Sequence, residues 1–568
     1  MTEPPVTRSL LLEHFERLSE APGAVERLRR FVVDLAIAGR LVRGSRPAEL
    51  GELPAQAQKA NAIARQVPAR CQAHSTTGPP IDYPADTPFV PLGMIARLEK
   101  GATPIQRAKP GSYPLVTLAE GRLSCSTYQF DAAAVIVPLI SSAGHGRASM
   151  NRLHYEQGKF AVGNILCAAI PIEPTLVSAR FLFEYLTAYK EALLVSRMKG
   201  TANVSLTIGR IAGVPVPLVS RASQARVEEL MTLFDELEAA QAKREKRRQR
   251  LVTASLRALT NGDDVGEPAN AQAREQSARF YLDHLPRLTT RPEHIQHLRE
   301  AILDLAATGR LVPQNADEGP ARSTWQGPSS GGTVRRGVPA YVERPPTVAS
   351  WTLPDTWAVQ SAAELLRWGY LFDLKDGNHG ANHPKASEFT RDGVPFITAA
   401  QVSDHCVSLE SAKRLSGVPL QRLRVGFAHA GDVILTHKGS VGRTAIAHGD
   451  CVLSPQATYY RPNPELVFSR YLMWFMESSL FRAQLEEVKG QTTRDFVPIT
   501  KQYRLFHAIP PIVEQHRIAA KVDELIALCD AIEASMVIRQ VERARLLEAA
   551  LDSVFADPIL SAASGDAS

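Results

Sequence analysis

The chain repeats itself, and this limits its fold more than any other feature. Residues Val25–Val42 read VERLRRFVVDLAIAGRLV and Ile295–Val312 read IQHLREAILDLAATGRLV, with nine of eighteen positions identical and no gap. At the same offset His14 matches His284, Arg17 matches Arg287, Leu18 matches Leu288 and Pro22 matches Pro292. A second pair lies further along each half. FLFEYL, RMKGTANVSLT and VPVPLVSRASQARVEEL in the first half answer YLMWFM, EVKGQTTRDFVPIT and AIPPIVEQHRIAAKVDEL in the second. Lys199-Gly200 matches Lys489-Gly490, and Gln224 and Arg226 align with Gln515 and Arg517. The chain therefore reads as two tandem copies of about 270–290 residues. Their flanks are shared, whereas their middles, about 85–180 and 350–468, look unlike each other. A shared frame with divergent inserts points to one scaffold presenting two different recognition surfaces.

The shared segments read as helices. Val25, Leu28, Val32 and Leu35 fall at spacings of 3, 4 and 3, and Ile295, Leu298, Ile302 and Leu305 repeat that register, which is one apolar stripe on a helix. Gly39 and Gly309 follow as expected C-caps, where glycine most easily takes the left-handed conformation. Two longer runs carry a heptad-like pattern. Ile518, Val522, Leu525, Cys529, Ile532 and Met536 alternate spacings of 4 and 3, an a/d seam. Val227, Leu230, Phe234 and Leu237 begin the same way; the run turns polar at Gln241, Arg244 and Arg248 and apolar again at Leu251. Uninterrupted by proline, each run predicts a helix of roughly 35–40 residues, about 50–60 Å long, and two such helices can pack antiparallel as a strut between modules.

Composition excludes several classes. In 568 residues the hydrophobic share is 44% and the charged share 22%, so a largely disordered chain is ruled out. A net charge of +6 is far from a polycation, so any nucleic-acid contact must come from local patches. The six cysteines contain no C-x-x-C pair, which argues against a zinc ribbon or disulfide framework and fits a reducing cytosol. The N-terminus lacks a signal-peptide pattern, and the longest apolar stretches fall short of a membrane span. The expected location is cytoplasmic.

Both middles read as mixed α/β with short strands joined by tight turns. The second contains His437-Lys438-Gly439-Ser440-Val441-Gly442-Arg443-Thr444. A polar, basic, glycine-rich loop of this kind can approach a phosphate backbone or send Lys or Arg into a groove. It is not a P-loop, and a solvated hairpin turn explains it equally well. In the first middle Ser141, Ser142, His145, Arg147 and Asn151 sit in a glycine-containing loop that corresponds to it only loosely. The Lys199-Gly200 and Lys489-Gly490 loops run into Thr, Asn, Gln and Arg residues. Amides can pair bidentately with adenine, and arginine with guanine; ordinary surface polarity is the competing explanation for each. The run Lys243–Arg250, KREKRRQR, can track a nucleic-acid backbone, meet an acidic partner, or simply be a solvated helix face. No amino-methyltransferase Asn-Pro-Pro-Phe-type motif, G-x-G-x-x-G after a strand, H-E-x-x-H or G-x-S-x-G occurs, so no self-contained catalytic site is expected.

LLEHFERLSEAPGAVERLRRFVVDLAIAGRLV, HLREAILDLAATGRLVPQ, AIPPIVEQHRIAAKVDELIALCDAIE and GDVILTHKGSVGR, taken in this order, resemble the specificity subunit of type I restriction–modification systems over nearly the whole chain. Two departures stand out. AVGNILCAAIP replaces the family's Gly-Asp-Ile/Val-Leu block, and VPVPLVSRASQARVEEL departs from the usual PLxEQxxI, with its helix about one turn shorter before Asp235. The resemblance implies an α/β (mixed α+β) protein with two target recognition domains separated by long antiparallel coiled-coil helices, related by pseudo-twofold symmetry. The expected divisions are a conserved helical segment (1–42), a linker (43–84), recognition domain 1 (85–221) and a long central helix (222–259). A linker with the second conserved segment (260–312), a flexible linker (313–349), recognition domain 2 (350–511), a long C-terminal helix (512–556) and a tail (557–568) follow.

The resemblance also implies a non-catalytic chain that reads a bipartite asymmetric double-stranded DNA target. Two modification subunits would bring S-adenosylmethionine and adenine methylation. Two restriction subunits would bring ATP, Mg and cleavage; no cofactor or metal is expected on this chain, and no membrane contact. Expected DNA contacts are Ser142, His145, Arg147, Lys199, Thr201 and Asn203 in the first half. In the second they are Lys438, Ser440, Arg443, Gln491, Thr492 and Arg494. The alternatives are a DNA-binding or helical scaffold of another phage-defence complex and a stand-alone restriction enzyme.

Overall fold

The computed structural model describes residues 14–42, 44, 87–143, 147–201, 204–260, 279, 283–285, 287–321, 338–339, 342–490 and 495–556. The chain divides into two compact units, Met1–Arg244 with Ile538–Ser568, and Glu245–Val537. The divisions fall inside two long helices, Arg221–Thr260 of 40 residues and Ile512–Ala556 of 45, about 60 and 67 Å long at 1.5 Å per residue. Each unit thus holds the start of one long helix and the end of the other.

In the first unit, α1 (Ala24–Ile37) buries Val25, Leu28, Val32 and Val33. It ends at Gly39, whose φ is +70°, with Arg40 N–H donating to Leu35 O at 2.8 Å, a Schellman-type closure. The strands are β1 (Phe89–Pro91), β2 (Ala96–Lys100), β3 (Tyr113–Val116), β4 (Leu123–Cys125), β5 (Phe130–Asp131), β6 (Ala134–Pro138), β7 (His154–Glu156), β8 (Lys159–Val162), β9 (Leu166–Pro171) and β10 (Pro215–Pro217). They form sheets β2-β9-β6-β7 and β4-β3-β8-β5 and the pair β1-β10. Every residue of β6 and β9 is buried, and α2 (Ala179–Ala188) packs Phe181, Leu182 and Tyr185 into the same core. Leu547 and Leu551, from the end of the second long helix, join that core. There Arg27 donates to Ala544 O at 3.1 Å.

The second unit repeats this plan. In α3 (Pro292–Ala307), Ile295, Ile302 and Leu303 are buried, and Gly309, φ +71°, ends the helix as Gly39 does. Here a side chain is excluded twice, since a Cβ would also lie 2.6 Å from Pro354 Cγ. The strands are β11 (Ala358–Ser361), β12 (Leu371–Asp376), β13 (Val394–Ile397), β14 (Val402–Ser403), β15 (His405–Val407), β16 (Lys413–Leu415), β17 (Phe427–Ala428), β18 (Val433–Thr436), β19 (Thr444–Ile446), β20 (Cys451–Leu453), β21 (Ala457–Pro462) and β22 (Phe506–Ile509). They form β12-β21-β18-β19-β15-β14 and β16-β13-β20-β17 and the pair β11-β22. Helices α4 (Ser469–Glu477) and α5 (Ser479–Val488) pack beside them.

Strand for strand this is the first unit's order with β15 and β14 added at one edge. The likeness includes the parallel pairing of β3 with β8 and of β13 with β20. The middles, unlike in sequence, are alike in topology. A buried strand needs apolar, mostly β-branched residues but no particular ones, so identity decays while strand order persists. The seam Ile518, Val522, Cys529 and Met536 is buried in the second unit's own core, with Ile302, Tyr471 and Trp474.

Candidate nucleic-acid interface

In both units the two loops singled out in the sequence are brought together. In the first, Ser141 N–H donates to Val204 O at 3.0 Å and Leu206 N–H to Leu139 O at 2.8 Å, while Lys199 and Ser205 exchange bonds of 2.9 Å each way. In the second, Gly439 N–H donates to Asp495 O at 3.0 Å, Val497 N–H to His437 O at 2.9 Å and Gly490 N–H to Phe496 O at 3.1 Å. The β6–β7 loop and the Lys199 loop thus form one small ladder, and the β18–β19 loop and the Lys489 loop form its counterpart.

The first-half loop is fastened by Ser141. Its hydroxyl donates to Arg147 O at 2.6 Å and accepts from Ser149 N–H at 3.1 Å. Ser142 is exposed and donates to Ser149 Oγ at 3.1 Å. Arg147, Lys199 and Thr201 are exposed, with no side-chain partner among the described residues. His145 and Asn203 lie outside the described residues, as do Gln491, Thr492 and Arg494 in the second half.

The second-half loop is closed by Thr436, whose N–H donates to Arg443 O at 2.9 Å and whose hydroxyl accepts from Arg443 N–H at 3.0 Å. Gly439 and Gly442 have φ of +83° and +92°, a region that disfavours other residues. The Lys438 ammonium stands 5.6 Å from the Phe496 ring centroid, and Ser440 is partly exposed. Arg443 is exposed and has no side-chain partner among the described residues. Lys489 is occupied, 2.9 Å from Asp495 and 3.2 Å from Glu486, and these acids raise its pKa. Beneath the loop His437 is fully buried, and burial pushes its pKa down to about 4, so the ring stays neutral.

One element escaped sequence reading. β14 and β15 form a hairpin whose two turn residues, Asp404 and His405, have φ of +49° and +59°. That is the type I′ pattern, for which Asn-Gly is the familiar signal. The alternation Val-Ser-Asp-His-Cys-Val was the available clue. β15 runs parallel to β19, and the His405 ring meets Trp474 edge-on at 4.5 Å. Between this tip and the Arg443 loop lies a hollow of about 690 Å³, also bordered by Thr444, Glu477 and Arg482. Glu477 accepts from Thr444 Oγ1 at 2.6 Å and from Arg482. The first unit has no described hairpin at the matching edge. Arg122 pairs there with Glu156 of β7 and contacts His154 Nδ1 at 3.1 Å. Burial, with the Arg122 charge, holds the His154 pKa down at about 4.

The basic run is divided in its use. Arg244 pairs with Glu20 at 2.9 Å, and Arg248 with Glu245 at 2.5 Å. Lys243, Lys246, Arg247 and Arg250 remain exposed. No helix among the described residues is long and apolar enough to cross a membrane.

The shared frame is anchored alike in both units. Gln224 accepts from Ser178 N–H at 2.9 Å and donates to Leu176 O and Val219 O at 2.7 and 3.1 Å. Gln515 accepts from Phe468 N–H at 2.7 Å and donates to Leu466 O and Pro510 O at 2.9 Å each. Arg29 reaches Asp235 and Glu238 at 2.6 and 3.0 Å, as Arg299 reaches Asp530 and Glu533 at 2.6 and 2.7 Å.

No family model matches the chain. Among curated proteins it is 21% identical over 356 residues to the Escherichia coli type I restriction enzyme EcoAI specificity subunit, covering 60% of this chain and 58% of that one. The chain is similar to type I specificity subunits. It is also 21% identical over 252 residues to the EcoBI specificity subunit, covering 44% of this chain and 47% of that one. It is 28% identical over 165 residues to the EcoDI specificity subunit, covering 29% and 34%; both are from Escherichia coli. The chain spans a little over half the length of the first of these relatives. Among solved structures, a chain from the type I R-M system aligns with 15% identity and a TM-score of 0.48, covering 84% of this chain and 99% of that one. The HsdS subunit from Thermoanaerobacter tengcongensis aligns at 16% and 0.37 with the same coverage.

Proposed function

We propose that this chain is the DNA sequence-recognition subunit of a type I restriction–modification complex. The observation that carries the reading is the repetition of one sheet order in two units with different loops, each unit pairing a basic β-loop with a Lys-Gly loop. In this reading 85–221 and 350–511 are the recognition domains, and each reads one half of an asymmetric bipartite duplex. The long helices form the antiparallel strut, with the halves related by a pseudo-twofold, and the strut sets the gap between half-sites. Phosphate contacts from exposed lysines position each reader, and arginine and polar side chains at base edges choose the sequence.

The chain breaks no bonds. Two modification subunits docked on the helices carry S-adenosylmethionine and methylate adenine. Two restriction subunits carry ATP and Mg and cut, and the complex works in the cytoplasm. The test is adenine methylation across the host genome with this gene present and deleted. Loss of one gapped, bipartite motif on deletion is the expected result. An unchanged pattern, with the partner subunits expressed, overturns the reading.

A further inference from the structure

The hairpin on the second sheet is an addition with an exposed, preset tip. The connection from β3 to β4 is Thr117–Arg122, whereas the matching connection from β13 to β16 runs from Thr398 to Ala412 and contains β14 and β15. The added strands are fixed from two sides. β15 pairs with β19 through His405↔Ala445 and Cys406↔Ile446, and the His405 ring rests on Trp474, itself held by Asp523 at 2.8 Å. Both turn residues sit at positive φ, a costly choice for residues other than glycine, and such strain gathers where a side chain must be aimed.

The tip faces the Arg443 loop across the hollow. Most charges on its walls are already matched. Glu477 takes Thr444 and Arg482, and Glu486 takes Lys489. Two are not: Arg443 on one wall and Asp404 on the other are exposed and have neither ion pair nor side-chain hydrogen bond among the described residues. An unmatched guanidinium and an unmatched carboxylate facing one hollow suit a ligand that offers acceptors beside a donor. The major-groove edge of a G·C pair does so, with guanine O6 and N7 as acceptors and the cytosine N4 amine as donor.

We infer that the Asp404–His405 tip is a further reading element of the second recognition domain, and that Asp404 and Arg443 together select one G·C base pair. This rests on the DNA-reading function proposed above. Arg443 donates to O6 and N7 of the guanine, Asp404 accepts from N4 of its cytosine, and His405 is a positioning residue that holds the tip against Trp474.

The test selects duplexes from a library with a randomised bipartite site, using the full chain with its modification partners. It compares the wild type with Arg443→Ala, Asp404→Ala and Asp404→Asn. The wild type is expected to demand G·C at one position of one half-site. Each variant should flatten that same position about tenfold or more, leaving the rest of the motif and the other half-site intact. Asp404→Asn keeps a residue that tolerates the left-handed turn, so its effect reports chemistry rather than loss of the hairpin. A motif that all three variants leave unchanged, or variants that relax different positions, overturns the inference alone. A wild-type protein that selects no bipartite motif overturns the DNA-reading function and this inference with it.

Discussion

The two sheets follow one order but finish their exposed edge differently. In the first unit a connection of six residues, Thr117–Arg122, brings an arginine to Glu156 on β7. In the second, fifteen residues from Thr398 to Ala412 add two strands and a preset turn. An unpaired edge invites further pairing and is managed by charge or by cover; each unit uses one of these. The frame therefore tolerates a change in how many elements it offers without a change in strand order.

The long helices differ as well. Eleven residues separate the anchor Gln224 from Asp235, and fifteen separate Gln515 from Asp530, an additional turn of about 6 Å. In the first unit Asp235 takes both Arg29, at 2.6 Å, and Arg180, at 3.0 Å. In the second the roles are split, Asp523 taking Arg470 at 2.9 Å and Asp530 taking Arg299 at 2.6 Å.

Acid should separate the units most strongly. His437 and His507 are fully buried in the second unit, with burial lowering their pKa values to about 4 and about 3. In the first unit His154, at about 4, is the one buried histidine among the described residues. Each neutral buried ring contributes stability that is complete above the unfolded value near 6.5. That stability is lost as pH falls toward the folded value, on the order of 3 kcal/mol per ring. Each unit also holds two carboxyls raised by burial, Asp34 and Glu184 in the first and Asp304 and Glu514 in the second. Hydrogen exchange between pH 7 and 4 should show the second unit losing protection first. Simultaneous loss would break the contrast.

Next in size, Gln224→Leu or Gln515→Leu leaves buried main-chain groups unpaired, at about 2–3 kcal/mol. Thermal unfolding with exchange should place each loss in the mutated unit alone. Arg147→Ala is expected to cost about 1–3 kcal/mol at one position of the first half-site, read by footprinting and site selection. An unchanged footprint would remove Arg147 from the interface. The smallest contrast is between the paired lysines. Lys199→Ala should reduce the salt dependence of DNA binding by about one charge. Lys489→Met should leave it unmoved, because Asp495 and Glu486 already hold that ammonium.

Local, periodic features were legible in the sequence. The helices, their glycine ends at Gly39 and Gly309, and the long runs follow from residue spacing. The common strand order did not, because β6 and β9 are buried along their whole length and show no alternation to read. The loop of Ser141–Arg147 matched that of Lys438–Arg443 only loosely in sequence, although both follow corresponding strands and meet corresponding Lys-Gly loops. The hairpin was missed because Asp404-His405 is an uncommon pair for its turn. Two of the six basic residues of the KREKRRQR run are paired, Arg244 with the distant Glu20 and Arg248 with Glu245 of the run itself; the first pairing is set by the fold and has no signal in the run.

Among the described residues, the Gln224 and Gln515 side chains bond only to main-chain groups, at Leu176, Ser178 and Val219 in one half and at Leu466, Phe468 and Pro510 in the other. A peptide N–H or carbonyl is the same whatever side chain it carries. The joint between sheet and helix is therefore indifferent to the sequence of the sheet. The sheets can differ in sequence while the same glutamine goes on gripping them.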